Sequence, residues 1–144
     1  MPAPLHALLY RSVATRPMRS VHLLPLLTRS MRWNAEHGIT GRLFVDGLET
    51  GGPSGAAFAQ WIEGDPADVG ALFERIRIDD RHTDLRVLAS GPVADLTGQP
   101  GRLYPDWSMS LETQGGLPDS LSDFLAVYES FPERRLAAGW SLAA

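Results

Sequence analysis

Three polar side chains are sent by the sequence toward a place where polar groups are costly: the phenol of Tyr10 and the carboxamides of Asn34 and Gln60. In Phe58-Ala59-Gln60-Trp61-Ile62-Glu63-Gly64, a period of two puts Gln60 on one face with Phe58 and Ile62. A buried carboxamide has two donors and two acceptor sites, and leaving one unmet costs about 1–3 kcal/mol. Asn34 falls on the packed side of a helix and Tyr10 on one face of the first strand. A phenol beside two amides suits a flat, heteroatom-edged ligand. An isoalloxazine fits, since its edge offers acceptors at N5 and O4 and a donor at N3. Asn34 would satisfy O4 and N3–H together, and Gln60 would bridge N5 or O4 to the Tyr10 hydroxyl. Each residue also has a plainer reading: Tyr10 as packing with its hydroxyl at the rim, Asn34 bonded to nearby backbone, Gln60 solvated or near an edge.

The elements that carry these residues follow from hydrophobic period and capping. Leu5 to Ser12 reads as a strand, with Leu8, Tyr10 and Ser12 on one face and Leu5, Ala7, Leu9 and Arg11 on the other. A helix is expected from Ser20 to about His37, its start drawn toward Leu23 by Pro25 and its stop set by Gly38. Its apolar stripe is Leu24, Leu27, Met31, Asn34 and Ala35. Ile39 to Asp46 and Phe58 to Glu63 form a hairpin across a long connection rich in glycine. Asp65-Pro66 caps a second helix to about Ile78, with Val69, Leu72, Phe73 and Ile76 inward. Asp79 to His82 reads as a polar turn, Leu85 to Val93 as a fourth strand, then a loop, then a fifth strand around Trp107 to Leu111.

The order βαββαββ predicts an α+β, ferredoxin-like sheet with two helices on one face. The other face, carrying Leu9 and Trp61, needs a cover, which Leu117, Leu121, Phe124, Leu125 and Tyr128 supply, continued by Phe131, Leu136 and Trp140. The organisation expected is residues 1–112 as the ligand-binding part and 113–144 as a helical cap in the same globular unit.

At 144 residues with a net charge of −4, the chain reads as one domain with no basic face for nucleic acid. All thirteen basic residues are arginine, a bias expected of a GC-rich bacterial source. The absence of cysteine removes disulfides, thiolate metal sites and a flavin–cysteine adduct. No run approaches the ~20 apolar residues of a membrane span and no signal-type start is visible, so the cytoplasm is the expected location.

Several separated motifs stand together: Leu9-Tyr10-Arg11-Ser12, Asn34-Ala35-Glu36-His37-Gly38-Ile39-Thr40-Gly41, Gln60-Trp61-Ile62-Glu63-Gly64, Arg81-His82 and Pro105-Asp106-Trp107-Ser108-Met109. In order and spacing they resemble the BLUF domain, a flavin-binding blue-light sensor, over residues 5 to 112. The resemblance implies FAD, with FMN or riboflavin as alternatives, and no turnover chemistry. It implies Tyr10 as electron and proton donor and Gln60 as the amide whose hydrogen bonds rearrange, giving a red-shifted state. Asn34 would hold the O4/N3 edge, Ser30 would line the same wall, and Arg81 and His82 would lie near the ribityl and phosphate groups. Trp107 and Met109 match the strand that carries the signal; in a plain reading both are core side chains. The expected partners are the flavin, further copies of the chain and a downstream effector protein, with no nucleic acid and no membrane. Two other readings compete: a light-independent interaction module of the same fold, and a small ferredoxin-like enzyme. His6, His22, His37 and His82 have no metal-site spacing that supports the second.

Overall fold

The computed structural model of the protein describes residues 4–16, 20–47, 56–112 and 117–130. Five strands form one sheet in the order β4-β1-β3-β2-β5. The strands are β1 (His6–Ala14), β2 (Thr40–Asp46), β3 (Ala57–Gly64), β4 (His82–Pro92) and β5 (Trp107–Glu112), with helices α1 (Ser20–Glu36), α2 (Pro66–Arg77), α3 (Val93–Thr97) and α4 (Leu121–Ser130). The first four strands are antiparallel neighbours in ferredoxin-like order, and β5 adds to β2 in parallel. A parallel neighbour needs a crossover. Here the chain travels from β4 at one edge to β5 at the other through α3 and the stretch 98–106.

Period-two patterning sorts the side chains onto the faces as expected. Leu8, Tyr10, Ile39 and Ile62 share a core with Val69 and Leu72 of α2. On the opposite face Ala7, Leu9, Phe44, Ala59 and Trp61 pack with Leu103, Tyr104, Leu117 and Phe124. Phe124 of α4 is fully buried and stacks on Trp61 at 4.8 Å. The cover inferred for this face is thus present as far as α4. Phe131, Leu136 and Trp140 lie outside the described residues, as do the side chain of Leu24 and the hairpin connection 48–55.

Local chemistry accounts for the ends of α2. The Asp65 carboxylate accepts from the Ala67 backbone N–H at 3.0 Å, and Pro66 takes the first helical position, where its missing N–H costs nothing. Four expectations need correction. α1 begins at Ser20 and runs through Pro25, although Pro25 has no N–H to donate to the preceding turn. Its inward stripe is also rotated: Met31 and Ala35 are exposed, while Leu26, Leu27, Ser30 and Asn34 turn toward the sheet. β4 starts at His82 rather than Leu85, and the expected loop contains the short helix α3.

Glu63 fixes the crossover beside the site, and Gly41 allows the close approach of β2 to β3. Glu63 is completely buried, and its carboxylate accepts from the backbone N–H groups of Leu103 at 2.9 Å and Tyr104 at 2.8 Å. Burial pushes this carboxyl up, and those two hydrogen bonds oppose the shift. Gly41 of β2 has a φ of +151°, and a Cβ there would stand 1.9 Å from the Trp61 carbonyl oxygen. Gly41→Ala is therefore expected to destabilise the fold by about 3 kcal/mol or more, read as a lower urea midpoint.

Candidate functional site

The antiparallel register pairs Tyr10 of β1 with Gln60 of β3, so both side chains emerge side by side toward α1. The Gln60 Nε2–H donates to the Tyr10 hydroxyl at 2.7 Å, and the Trp107 Nε1–H donates to Gln60 Oε1 at 2.8 Å. All three residues are buried. Trp107 starts on β5, and its indole reaches over β2, beside Gly41, to meet β3. An indole N–H can only donate, so the amide must present oxygen to Trp107 and nitrogen to Tyr10. The Tyr10 hydroxyl accepts in this pair and keeps its own hydrogen for another partner.

These residues form one wall of a cleft between the sheet and α1. Its inner part encloses about 670 Å³ including the open mouth, and is lined by Leu43, Phe58 and Met109 from the sheet and by Leu26, Leu27 and Ser30 from α1. An outer part, about 1000 Å³, opens between α1 and α2 and is lined by Arg29, Trp33, Asn34 and Arg75 among others. Leu26, Ser30, Ile76, Asp79 and Arg81 border both parts, so the two adjoin. Asn34 is 2% exposed, and its Oδ1 has no hydrogen-bond partner among the described residues. A buried carbonyl oxygen left without a donor is a place for a ligand N–H. The donor and acceptor set, the apolar lining and this open acceptor fit the edge of an isoalloxazine.

At the deep end of α2, the polar turn residues are held by the protein itself. His82 Nε2 lies 2.6 Å from the Ile76 carbonyl and Nδ1 lies 2.7 Å from Ser12 Oγ. The carbonyl only accepts, so Nε2 carries a hydrogen and donates to it. Arg81 forms an ion pair with Asp79, its Nε donating to Asp79 Oδ1 at 2.8 Å. That guanidinium holds the Asp79 carboxyl below its usual range. Arg29 and Arg75 line the outer cleft and form no ion pair among the described residues. Arg75 sits 4.9 Å from the Trp33 ring centre, and Trp33 stacks on His37 at 3.7 Å.

All eight residues singled out in the sequence border the cleft: Tyr10, Ser30, Gln60, Arg81, His82, Trp107 and Met109 around its inner part, Asn34 in its outer part. Tyr10, Gln60 and Trp107 are directly hydrogen-bonded. Sequence reasoning missed Asp79 as the partner of Arg81 and missed Arg29 and Arg75 as cleft cations. The helical spacing of Arg29 ahead of Trp33 and Asn34 was the available signal for one of them.

Burial pushes the Tyr10 phenol above its ordinary value of 10.0; the Gln60 hydrogen bond opposes this and the Asp79 carboxylate adds to it. Above that ordinary value the unfolded chain has lost a proton that the folded one keeps, so stability falls as pH rises. The slope should be about 1.4 kcal/mol per pH unit from this residue. Urea unfolding between about pH 9 and about pH 11 should show a steeper decline in the parent than in Tyr10→Phe.

Comparison with known proteins places the fold in a family. The family described as "BLUF: Sensors of blue-light using FAD" matches residues 5–110. A curated relative, photoactivated adenylate cyclase subunit beta of Euglena gracilis, is 36% identical over 112 residues, which are 76% of this chain and 11% of that protein. The chain therefore spans about a tenth of the curated relatives it matches. Among solved structures, the BLUF protein BlrB in its dark state superposes with a TM-score of 0.60 at 27% identity, covering 94% of each chain. BlsA in its photo-activated state gives 0.58 at 25% identity over 77% of this chain and 71% of that one. On its fold, on the cleft between sheet and α1, and on a match running nearly the length of the described sheet, the chain belongs to the BLUF family of blue-light sensors using FAD.

Proposed function

We propose that Tyr10 and Gln60 carry a light-driven hydrogen-bond switch, and that Trp107 and Met109 take its outcome into β5. The observation that supports this best is the buried run Trp107–Gln60–Tyr10 along the cleft wall. A bound flavin, FAD by preference and FMN or riboflavin as alternatives, supplies blue-light absorption and an excited state that accepts an electron. Tyr10 is the electron and proton donor: its phenol is neutral in its buried site, and its own hydrogen is not used by Gln60. Gln60 accepts the proton at its amide oxygen, the only acceptor it has, as the amide changes partners by rotation or by tautomerisation, and electron and proton return to Tyr10 on recombination. Rotation alone would bring its NH₂ against the Trp107 N–H, leaving donors unmet at about 1–3 kcal/mol. A rotated Gln60 therefore favours a different position of Trp107, and with it of β5. That differential preference is what a signal requires.

Asn34 holds the O4/N3 edge, its open Oδ1 facing N3–H, and Ser30 lines the same wall one helical turn earlier. Arg81 and His82 shape the ribityl end. Because Arg81 is tied to Asp79 and His82 to Ser12 and Ile76, the phosphate falls to Arg29 and Arg75, cations of the outer cleft with no ion pair among the described residues. No substrate bond is made or broken. Residues 1–112 and 113–144 work as one unit in the cytoplasm, and output passes to an effector protein or to changed self-association.

The defining experiment is an absorption spectrum of the purified, flavin-loaded protein in the dark and after blue light. A reversible red shift is expected, and Tyr10→Phe should keep the yellow colour while losing that shift. A Tyr10→Phe variant that photocycles like the parent would remove Tyr10 from its role. For the tail, Arg29→Ala/Arg75→Ala should lower the preference for FMN over riboflavin about tenfold, read from binding titrations.

A further inference from the structure

On the α4 face, directly behind the site, stands a charged group that the photochemistry does not use. Arg42, in the middle of β2, is only 7% exposed. Buried guanidinium groups ordinarily answer a carboxylate. Arg42 forms no ion pair among the described residues. Instead its Nε donates to Ser108 Oγ at 3.0 Å, and its guanidinium carbon lies 5.5 Å from the ring centre of Tyr104. Asp106 is close enough to feel the charge, yet its buried Oδ1 has no hydrogen-bond partner among the described residues.

The position of this contact gives it a consequence. In the parallel β2–β5 ladder Arg42 is level with Ser108, between the pairs Gly41–Trp107 and Leu43–Met109. Ser108 points to the α4 face while its neighbour Trp107 points into the cleft, as alternation along a strand requires. A side-chain tie on one face therefore sets where the indole sits on the other. The same guanidinium rests on Tyr104, which meets Tyr128 of α4 edge to face at 5.4 Å and Phe124 at 6.5 Å.

We propose that Arg42 is a positioning residue: through Ser108 it holds β5 so that the Trp107 N–H meets Gln60, and through Tyr104 it links that position to the seat of α4. In the dark this hold needs no photochemistry; only its bearing on signalling rests on the switch proposed for Gln60.

The test is hydrogen exchange at the Trp107 indole N–H in the flavin-loaded protein kept dark, with the resonance assigned by its loss in Trp107→Phe. Arg42→Leu keeps apolar bulk and removes the donor, and Ser108→Ala removes only an oxygen. Each should speed exchange at Trp107 about tenfold while backbone amides of β1 and β3 keep their protection. The double variant should exchange no faster than the faster single one, because both changes break the same tie. Unchanged exchange in Ser108→Ala, or a double variant whose acceleration is the product of the two singles, would overturn the proposal. Should Arg42→Leu fail to fold, Ser108→Ala alone decides. A protein that shows this coupling and no light response would keep Arg42 in this role and remove the switch reading.

Discussion

The arrangement turns on a donor that has no alternative. An indole N–H cannot accept, so Trp107 dictates which end of the Gln60 amide it faces, and the amide's other end then meets Tyr10. One hydrogen bond from β5 thus fixes the polarity of another between β3 and β1. In a site this dry, exchanging the amide's ends leaves donors facing one another at about 1–3 kcal/mol. In the switch proposed for Gln60, the two arrangements of this carboxamide correspond to two placements of a strand, so that a small chemical event has a mechanical consequence.

The sheet makes this coupling possible by being apolar on both faces. One face packs on α2 and borders the cleft, and the other is sealed by the crossover and α4. Trp61, sandwiched against Phe124, lies next to Gln60 in the same strand and faces the other way. Arg42 and Ser108 repeat that relation in the neighbouring strands, with Trp107 and Leu43 on the cleft side. β1, β2 and β3 each contribute both to the site and to the apolar cluster that holds Phe124 of α4. Glu63 completes the frame by holding the backbone of Leu103 and Tyr104, the last stretch before β5.

What was legible in the sequence is what local periodicity determines. Gln60 could be placed because Phe58 and Ile62 flank it at a period of two, and Asp65-Pro66 announced α2 through capping chemistry alone. Antiparallel neighbours transmitted that certainty, so Tyr10 came to stand opposite Gln60. The inward placement of Trp107 was not legible, because β5 pairs in parallel with β2 across a long crossover, and no turn sets that register. Nothing local in the sequence marks Arg42 and Glu63 as buried; Glu63 is enclosed by the backbone of residues 103–104, and Arg42 rests on Tyr104 and Ser108, all distant in sequence. α1 was rotated in the reading because its inner side faces a cleft rather than a close-packed core, so half-polar Ser30 and Asn34 occupy positions where a core helix would be apolar.

The central claim is that Gln60 is held between Tyr10 and Trp107 and changes partners on illumination. NMR of the Gln60 side-chain amide, followed in the dark and under blue light, tests it most directly. In the dark the amide protons should exchange slowly and show cross-peaks to the Tyr10 ring, with the Trp107 indole N–H shifted as a hydrogen-bonded donor; light should move all three sets of signals together. Amide protons that exchange freely with water, or that stay in place while the absorption spectrum shifts, would contradict the account.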